Sequence, residues 1–359
     1  MSRRGVMRGT LLGLAAGAVG AALAGGAAAG TVVHQRHAIA GRAHGDDEPF
    51  GSLRSEPLTV VADDGVPLHV EVDEADPSAA SDGRPTLVFV HGYALNMDCW
   101  HFQRATYRGR FRCVFYDQRS HGRSGRSAKE NATIDQLGSD LATVLEHVVP
   151  TGPVVLVGHS MGGMSILALA QRHPELFGPR VVGVGLVATT SGQLDPHTIL
   201  VPGIPRQIGG RVALRVVAGL ARGHQLVDHV RRAGKAFAIV ATDQFAFGGR
   251  DLPEHYVEFV DDMLSQTPFE VLAEFFPSFS ELDKADVLDG MASIPISVVC
   301  GTDDRMIPVE HSRRLHEALP GSTLVEVEGA GHMVLIERHA EVDAALDDLL
   351  QRIVAGESA

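Results

Sequence analysis

Three kinds of side chain that together can activate a nucleophile occur far apart in this sequence: Ser160, a carboxylate at Asp303 or Asp304, and His332. The serine stands in Gly158-His159-Ser160-Met161-Gly162-Gly163, directly after the apolar run Val154-Val155-Leu156-Val157. A strand ending at Gly158 and a helix starting near Met161 leave Ser160 on the turn between them. That turn strains the backbone at the serine, and side chains two residues to either side would collide. Gly158 and Gly162 remove the collisions, and Gly163 permits close helix–strand packing. The hydroxyl is then presented away from the sheet, at a helix N-terminus whose dipole and free N–H groups favour negative charge.

A serine hydroxyl needs a base to take its proton and a carboxylate to hold that base in the right tautomer. In open α/β sheets such groups gather at the carboxyl ends of strands. Two segments qualify. Cys300-Gly301-Thr302-Asp303-Asp304-Arg305-Met306-Ile307-Pro308 follows the run Ile296–Val299, and Gly329-Ala330-Gly331-His332-Met333 follows Thr323–Val327. Among 18 histidines, His332 alone combines a strand-end position with small neighbours that admit a substrate. His159 adjoins Ser160, but the sharp turn directs its side chain elsewhere. His91 and His121 lie in Gly-flanked loops that suit structural hydrogen bonding. Asp303 and Asp304 are not separated by this reasoning: one faces the imidazole, the other solvent or an arginine. Backbone donors for a developing oxyanion are expected from Met161 N–H and from the loop His91-Gly92-Tyr93 after Thr86–Val90.

These positions require a framework, and the pattern around them supplies one. Leu58–Val61 and Leu68–Val72 flank Asp64-Gly65 as an opening hairpin. Thr86–Val90, Cys113–Tyr116 and Val154–Val157 are apolar at both parities, as strands buried on both faces are. Val181–Val187 is similar. Thr133–Val149 carries apolar residues at helical spacing behind Thr133 as a cap. From about Gly192 to Met291 the alternation stops and helical segments follow, with seven of the fourteen Phe between Phe245 and Phe279. The βα rhythm then resumes to a closing helix at about Glu341–Val354. The expected organisation is an α/β core over 57–191 and 292–359, a helical cap over 192–291, and a polar linker over 46–56.

Composition narrows the function classes. With 359 residues, 45% hydrophobic and 21% charged, the chain can bury a large core and is not disordered. A net charge of −13 without a basic stripe in the body excludes a nucleic-acid partner. Cys99, Cys113 and Cys300 make neither a disulfide framework nor a metal-ligand pair. Ahead of the body, Leu11 to Val33 are 23 residues without a charge, preceded by Arg3, Arg4 and Arg8. As a helix this would extend about 34 Å, enough for a hydrocarbon core of about 30 Å. A membrane anchor, or a signal cleaved near Ala27-Ala28-Ala29, is expected, placing the body in the cell envelope. The alternative is a low-complexity tail on a cytoplasmic enzyme.

With these residues assembled, the sequence resembles the α/β-hydrolase superfamily over roughly residues 57 to 355. The further matches are His91-Gly92, Asp117-Gln118-Arg119-Ser120-His121-Gly122-Arg123-Ser124, Gly301-x-x-Asp304-x-x-x-Pro308 and Gly329-x-Gly331-His332. They resemble the branch of small esterases, cofactor-free haloperoxidase-like perhydrolases and carbon–carbon hydrolases. The resemblance implies an eight-stranded sheet with an antiparallel second strand and a helical cap after the sixth. It assigns the acid to Asp304 and the oxyanion donors to Tyr93 and Met161. A serine nucleophile departs from the epoxide-hydrolase and haloalkane-dehalogenase branches. The implied chemistry is cleavage of a small or medium apolar acyl ester through an acyl-enzyme on Ser160, without a cofactor or metal. A perhydrolase or carbon–carbon hydrolase would use the same triad. A non-catalytic binding protein on this fold would be expected to have lost Ser160 or His332. The Phe cluster either lines an acyl pocket or forms the core of the cap.

Overall fold

The computed structural model describes residues 34–40, 42, 49–78, 83–194, 235–249 and 252–356. Eight strands form one sheet: β1 (Pro57–Val61), β2 (Pro67–Asp73), β3 (Thr86–Val90), β4 (Cys113–Tyr116), β5 (Val154–His159), β6 (Val181–Val187), β7 (Ile296–Gly301) and β8 (Thr323–Val327). Their spatial order is β1-β2-β4-β3-β5-β6-β7-β8. The β2 strand is antiparallel to both of its neighbours, and the strands from β4 to β8 run parallel. This is the α/β-hydrolase architecture that the resemblance implies. Strands β3, β4 and β5 are buried along their whole length, which is why they read as unbroken apolar runs rather than alternating ones.

The helices are α1 (residues 34–40), α2 (His101–Tyr107), α3 (Ile134–Val148), α4 (Met161–Arg172), α5 (Lys235–Ala246), α6 (Glu254–Gln266), α7 (Phe269–Ser280), α8 (Leu288–Met291), α9 (Val309–Ala318), α10 (Val334–Glu337) and α11 (His339–Ala355). Helix α3 starts where Thr133 Oγ1 accepts the Gln136 N–H at 3.1 Å, satisfying one of the first-turn donors. Its apolar stripe, Ile134, Leu137, Leu141, Val144, Leu145 and Val148, is buried throughout. Between β6 and β7 the strands give way to α5, α6 and α7, packed over the carboxyl end of the sheet. The two ends of this insertion meet. Gly192 bridges Asp283, and Lys284 N–H donates to Ser191 O at 2.7 Å.

The polar stretch read as a linker is packed against the body over its described part. Phe50 contacts the rings of His101, Phe102, His255, Tyr256 and Phe259, and Arg54 forms an ion pair with Asp98. Further upstream, Ile39 on α1 is 1% exposed within the main apolar core. No described helix is long and apolar enough to cross a membrane. Leu11 to Val33, where a span or signal is expected, lies outside the described residues.

Candidate active site

Ser160 adopts φ +52° and ψ −117° at the junction of β5 and α4. That region is costly for any residue with a side chain. The strain is held by hydrogen bonds on both sides of the residue. Ser160 N–H donates to Val187 O at 2.9 Å, extending the ladder to β6, while its carbonyl accepts Gly163 N–H at 3.0 Å and Thr189 Oγ1 at 2.7 Å. The glycines around it are there for space. A Cβ on Gly162 would lie 2.0 Å from Val90 O, one on Gly158 would lie 2.6 Å from Gly162, and one on Gly163 2.6 Å from Thr189. These are the two collisions and the close packing inferred from the motif.

The acid and the candidate base come together as the spacing requires. His332 Nδ1 lies 2.8 Å from Asp304 Oδ2, and Asp304 Oδ1 accepts the N–H groups of Met306 at 2.8 Å and Ile307 at 2.9 Å. A carboxylate can only accept, so Nδ1 carries the proton and Nε2 presents its lone pair. Asp303 is exposed; its backbone N–H donates to Ala330 O at 2.9 Å. The choice between the two aspartates, open on the residues alone, therefore falls on Asp304. Ser160 and His332 line the same cavity, although no hydrogen bond joins the hydroxyl to the imidazole here. Such contacts commonly tighten only with substrate bound.

Met161 is the first residue of α4, so its N–H has no intrahelical acceptor. Tyr93 follows β3 on the facing loop, lines the cavity, and its N–H donates to no other described residue. Its hydroxyl donates to Leu272 O on α7, fixing the loop beneath the insertion.

The cavity encloses about 380 Å³. Its floor is Ser160, His332 and Tyr93, and its walls include Met164, Leu272, Phe276, Phe279 and Ile307. No described lining residue is Asp, Glu, Lys or Arg. Phe245, Phe269, Phe276 and Phe279 face the cavity, whereas Phe275 is fully buried and packs with Ile134, Leu137, Met161 and Met164 of the body.

The other histidines divide as their positions suggest. His91 Nδ1 donates to Gly92 O at 2.7 Å and its Nε2 accepts Gln118 N–H at 2.9 Å. His121 Nδ1 donates to Arg119 O at 2.9 Å. Burial pushes the first down to about 4 and the second to about 3, so both are neutral hydrogen-bonders.

Sequence reasoning missed two residues. His159 does not merely point elsewhere: its Nε2–H donates to His332 O at 3.0 Å, and its ring centroid lies 4.9 Å from that of His332. Burial holds its pKa well below the usual histidine value. A Cβ on Gly92 would come within 2.7 Å of its Nδ1, which explains the glycine there. Glu337 is buried and accepts Gly331 N–H at 2.7 Å, Gly248 N–H at 3.1 Å and Gly249 N–H at 2.6 Å. It ties the His332 loop to the end of α5, reinforced by Met333 N–H on Ala246 O at 2.8 Å. The available signal was an acidic residue closing the apolar run Met333–Ile336, a charge with no evident partner.

Comparison with known proteins places the fold in a family. Residues 87–345 match the model of the alpha/beta hydrolase family. The chain belongs to that family. It is similar to 3-oxoadipate enol-lactonase 2 of Acinetobacter baylyi, 27% identical over 75% of this chain and 90% of that protein. Among solved structures it resembles a thermophilic esterase from Thermogutta terrifontis, with a TM-score of 0.64 and 24% identity over 83% of this chain and 99% of the other. An esterase from Exiguobacterium antarcticum has the same TM-score at 20% identity, over 82% and 99% of the two chains. At these identities the structural likeness speaks to fold, and this family member's chemistry has to be argued from its own side chains.

Proposed function

We propose that this hydrolase cleaves neutral carboxylic esters with a small or medium apolar acyl group, through an acyl-enzyme on Ser160. His332 takes the Ser160 proton as the hydroxyl attacks the carbonyl, and Asp304 stabilises the imidazolium that forms. The oxyanion is held by the N–H groups of Tyr93 and Met161, and its charge also meets the N-terminus of α4. His332 then returns the proton to the departing alcohol, and water attacks the acyl-enzyme by the reverse sequence. The observation that carries this reading is the pairing of Asp304 with His332, whose imidazole lines the same cavity as the strained Ser160. An uncharged, apolar lining supports a neutral substrate, because an ionised one would be stripped of water without a partner.

Ser160→Ala tests it. Loss of the nucleophile is expected to lower kcat on p-nitrophenyl esters by about 10⁶, as in comparable triads, and to abolish labelling by a fluorophosphonate. Retention of activity within tenfold of wild type would overturn the assignment.

We infer further that Leu11 to Val33 anchors the protein to a membrane, on the length and neutrality of that segment and on the arginines Arg3, Arg4 and Arg8 ahead of it. Pelleting of the full chain with membranes through a carbonate wash, lost on deletion of residues 1–33, is the expected result; an unchanged soluble fraction refutes it.

A further inference from the structure

We propose that the N-terminal arm over residues 34–42 is a specificity-determining part of the site, acting through the cap to set which acyl lengths the cavity accepts. This rests on the esterase reading above. The arm contacts α5 and α6, and other residues of the same two helices line the cavity. On the outer side, Arg42 forks onto Asp243 of α5, with contacts of 2.5 and 3.0 Å, and also donates to Leu252 O between α5 and α6 at 3.3 Å. Arg36 pairs with Glu254 and with Glu258 of α6, the latter at 3.4 Å. Ile39 is buried in the apolar cluster that contains Val240, Tyr256, Val257 and Val260. The arm thus clamps α5 to α6.

On the inner side the same two helices meet the substrate space. Thr242, beside Asp243, lines the cavity, as do Ala246 on α5 and Val260 and Leu264 on α6. Thr242 Oγ1 donates to the buried Asp261 Oδ1 at 3.1 Å, joining α5 to α6 next to the cavity. The Arg42 and Asp243 side chains are only 12% and 10% exposed. A bidentate pair of this kind fixes geometry as well as charge, and removing one partner leaves a largely buried charge unpaired. Without the arm, α5 and α6 keep the Thr242–Asp261 bond and their apolar packing but lose the outer clamp, so the wall they form is held less firmly in one shape. Arg36, Ile39 and Arg42 touch neither substrate nor triad; they are positioning residues.

The test uses the full chain with Arg42→Asp, Asp243→Arg and the charge-swapped double variant, together with Arg42→Lys. Two series are measured. One is kcat/KM for p-nitrophenyl esters from two to twelve carbons. The other is displacement of Nile red by straight-chain alcohols in a Ser160→Ala background, which reads the cavity without hydrolysis. Wild type should show a preferred length in both. Each single charge reversal should flatten both profiles at least fivefold, and the double variant should restore them to within twofold. Arg42→Lys keeps the charge but gives up the forked geometry, and should fall between. The proposal is overturned if wild type has no length preference in the alcohol series, if the single variants keep its profile, or if they lose signal uniformly without recovery in the swap. Should wild type hydrolyse no ester while the alcohol profile still follows the arm, the esterase reading fails and the role of the arm stands.

Discussion

The two sides of the cavity are built on different principles. On the sheet side, position is fixed by backbone. Ser160 is held in a strained conformation by Val187, Gly163 and Thr189, with Gly158 and Gly162 where a Cβ would strike main chain and Gly163 where it would strike the Thr189 side chain. On the cap side, the wall is a set of apolar side chains, Leu272, Phe276 and Phe279 among them, which could be exchanged for others of similar volume with little loss. On the proposed function, the sheet side should therefore tolerate almost no change of residue, whereas the cap side should tolerate many. The difference separates what a hydrolase of this family must keep from what it can vary.

Substitutions on the two sides should fail in different ways. The largest effect is expected on the sheet side, where Asp304→Asn should leave the fold intact but lower kcat by about 10⁴, since the amide favours the wrong tautomer of His332. Steady-state kinetics beside a melting curve checks this, and a loss below a hundredfold would mean that Asp304 does not orient the imidazole. Phe276→Ala, on the cap side, should instead redistribute activity. Rates on long acyl esters should rise about tenfold relative to acetate as the cavity lengthens, with kcat on acetate nearly unchanged. An equal fall on every ester would place Phe276 in the core rather than at the substrate.

The smallest effect concerns pH, and again divides the two sides. His91 and His121 sit beneath the sheet-side loops with values pushed down to about 4 and about 3. In the unfolded chain they take up protons near pH 6.5, while in the native state they do not. Their contribution to stability is thus complete above that pH and is lost as pH falls toward the native values, by about 1.4 kcal/mol per pH unit for each. His121→Asn retains a donor for Arg119 O and removes one titrating group. Urea midpoints between pH 6.5 and 4.5 should then fall less steeply than in wild type; an identical slope would show that His121 is not held neutral.

The division also explains what could be read from the sequence. The elbow was legible because its constraints are local: Gly158, Gly162 and Gly163 answer to collisions within a few residues or with the adjoining strand ends. The buried strands followed from runs apolar at both parities, whereas the eight-stranded sheet with its antiparallel second strand was implied by the family resemblance and not by the runs themselves. Asp304 needed the family pattern, because two adjacent carboxylates differ only in which loop turn faces His332. His159 and Glu337 escaped because their partners, the carbonyl of His332 and the N–H groups of Gly248, Gly249 and Gly331, are main-chain atoms without a sequence signature. The arm escaped for a different reason. Arg36 and Arg42 meet Glu254, Glu258 and Asp243 about two hundred positions away, and nothing in a run of charged and small residues announces such a partner.

The bridge between Gly192 and Asp283 has a consequence for how this chain could diversify. Where the two feet of a long detour stand side by side, the platform below does not register its length. Closing the gap with a short turn, or grafting in a foreign helical segment, changes the entropy of chain closure only logarithmically. The roof can in this sense vary in length and sequence between its feet, provided that a replacement keeps the N–H groups that Glu337 accepts at the end of α5.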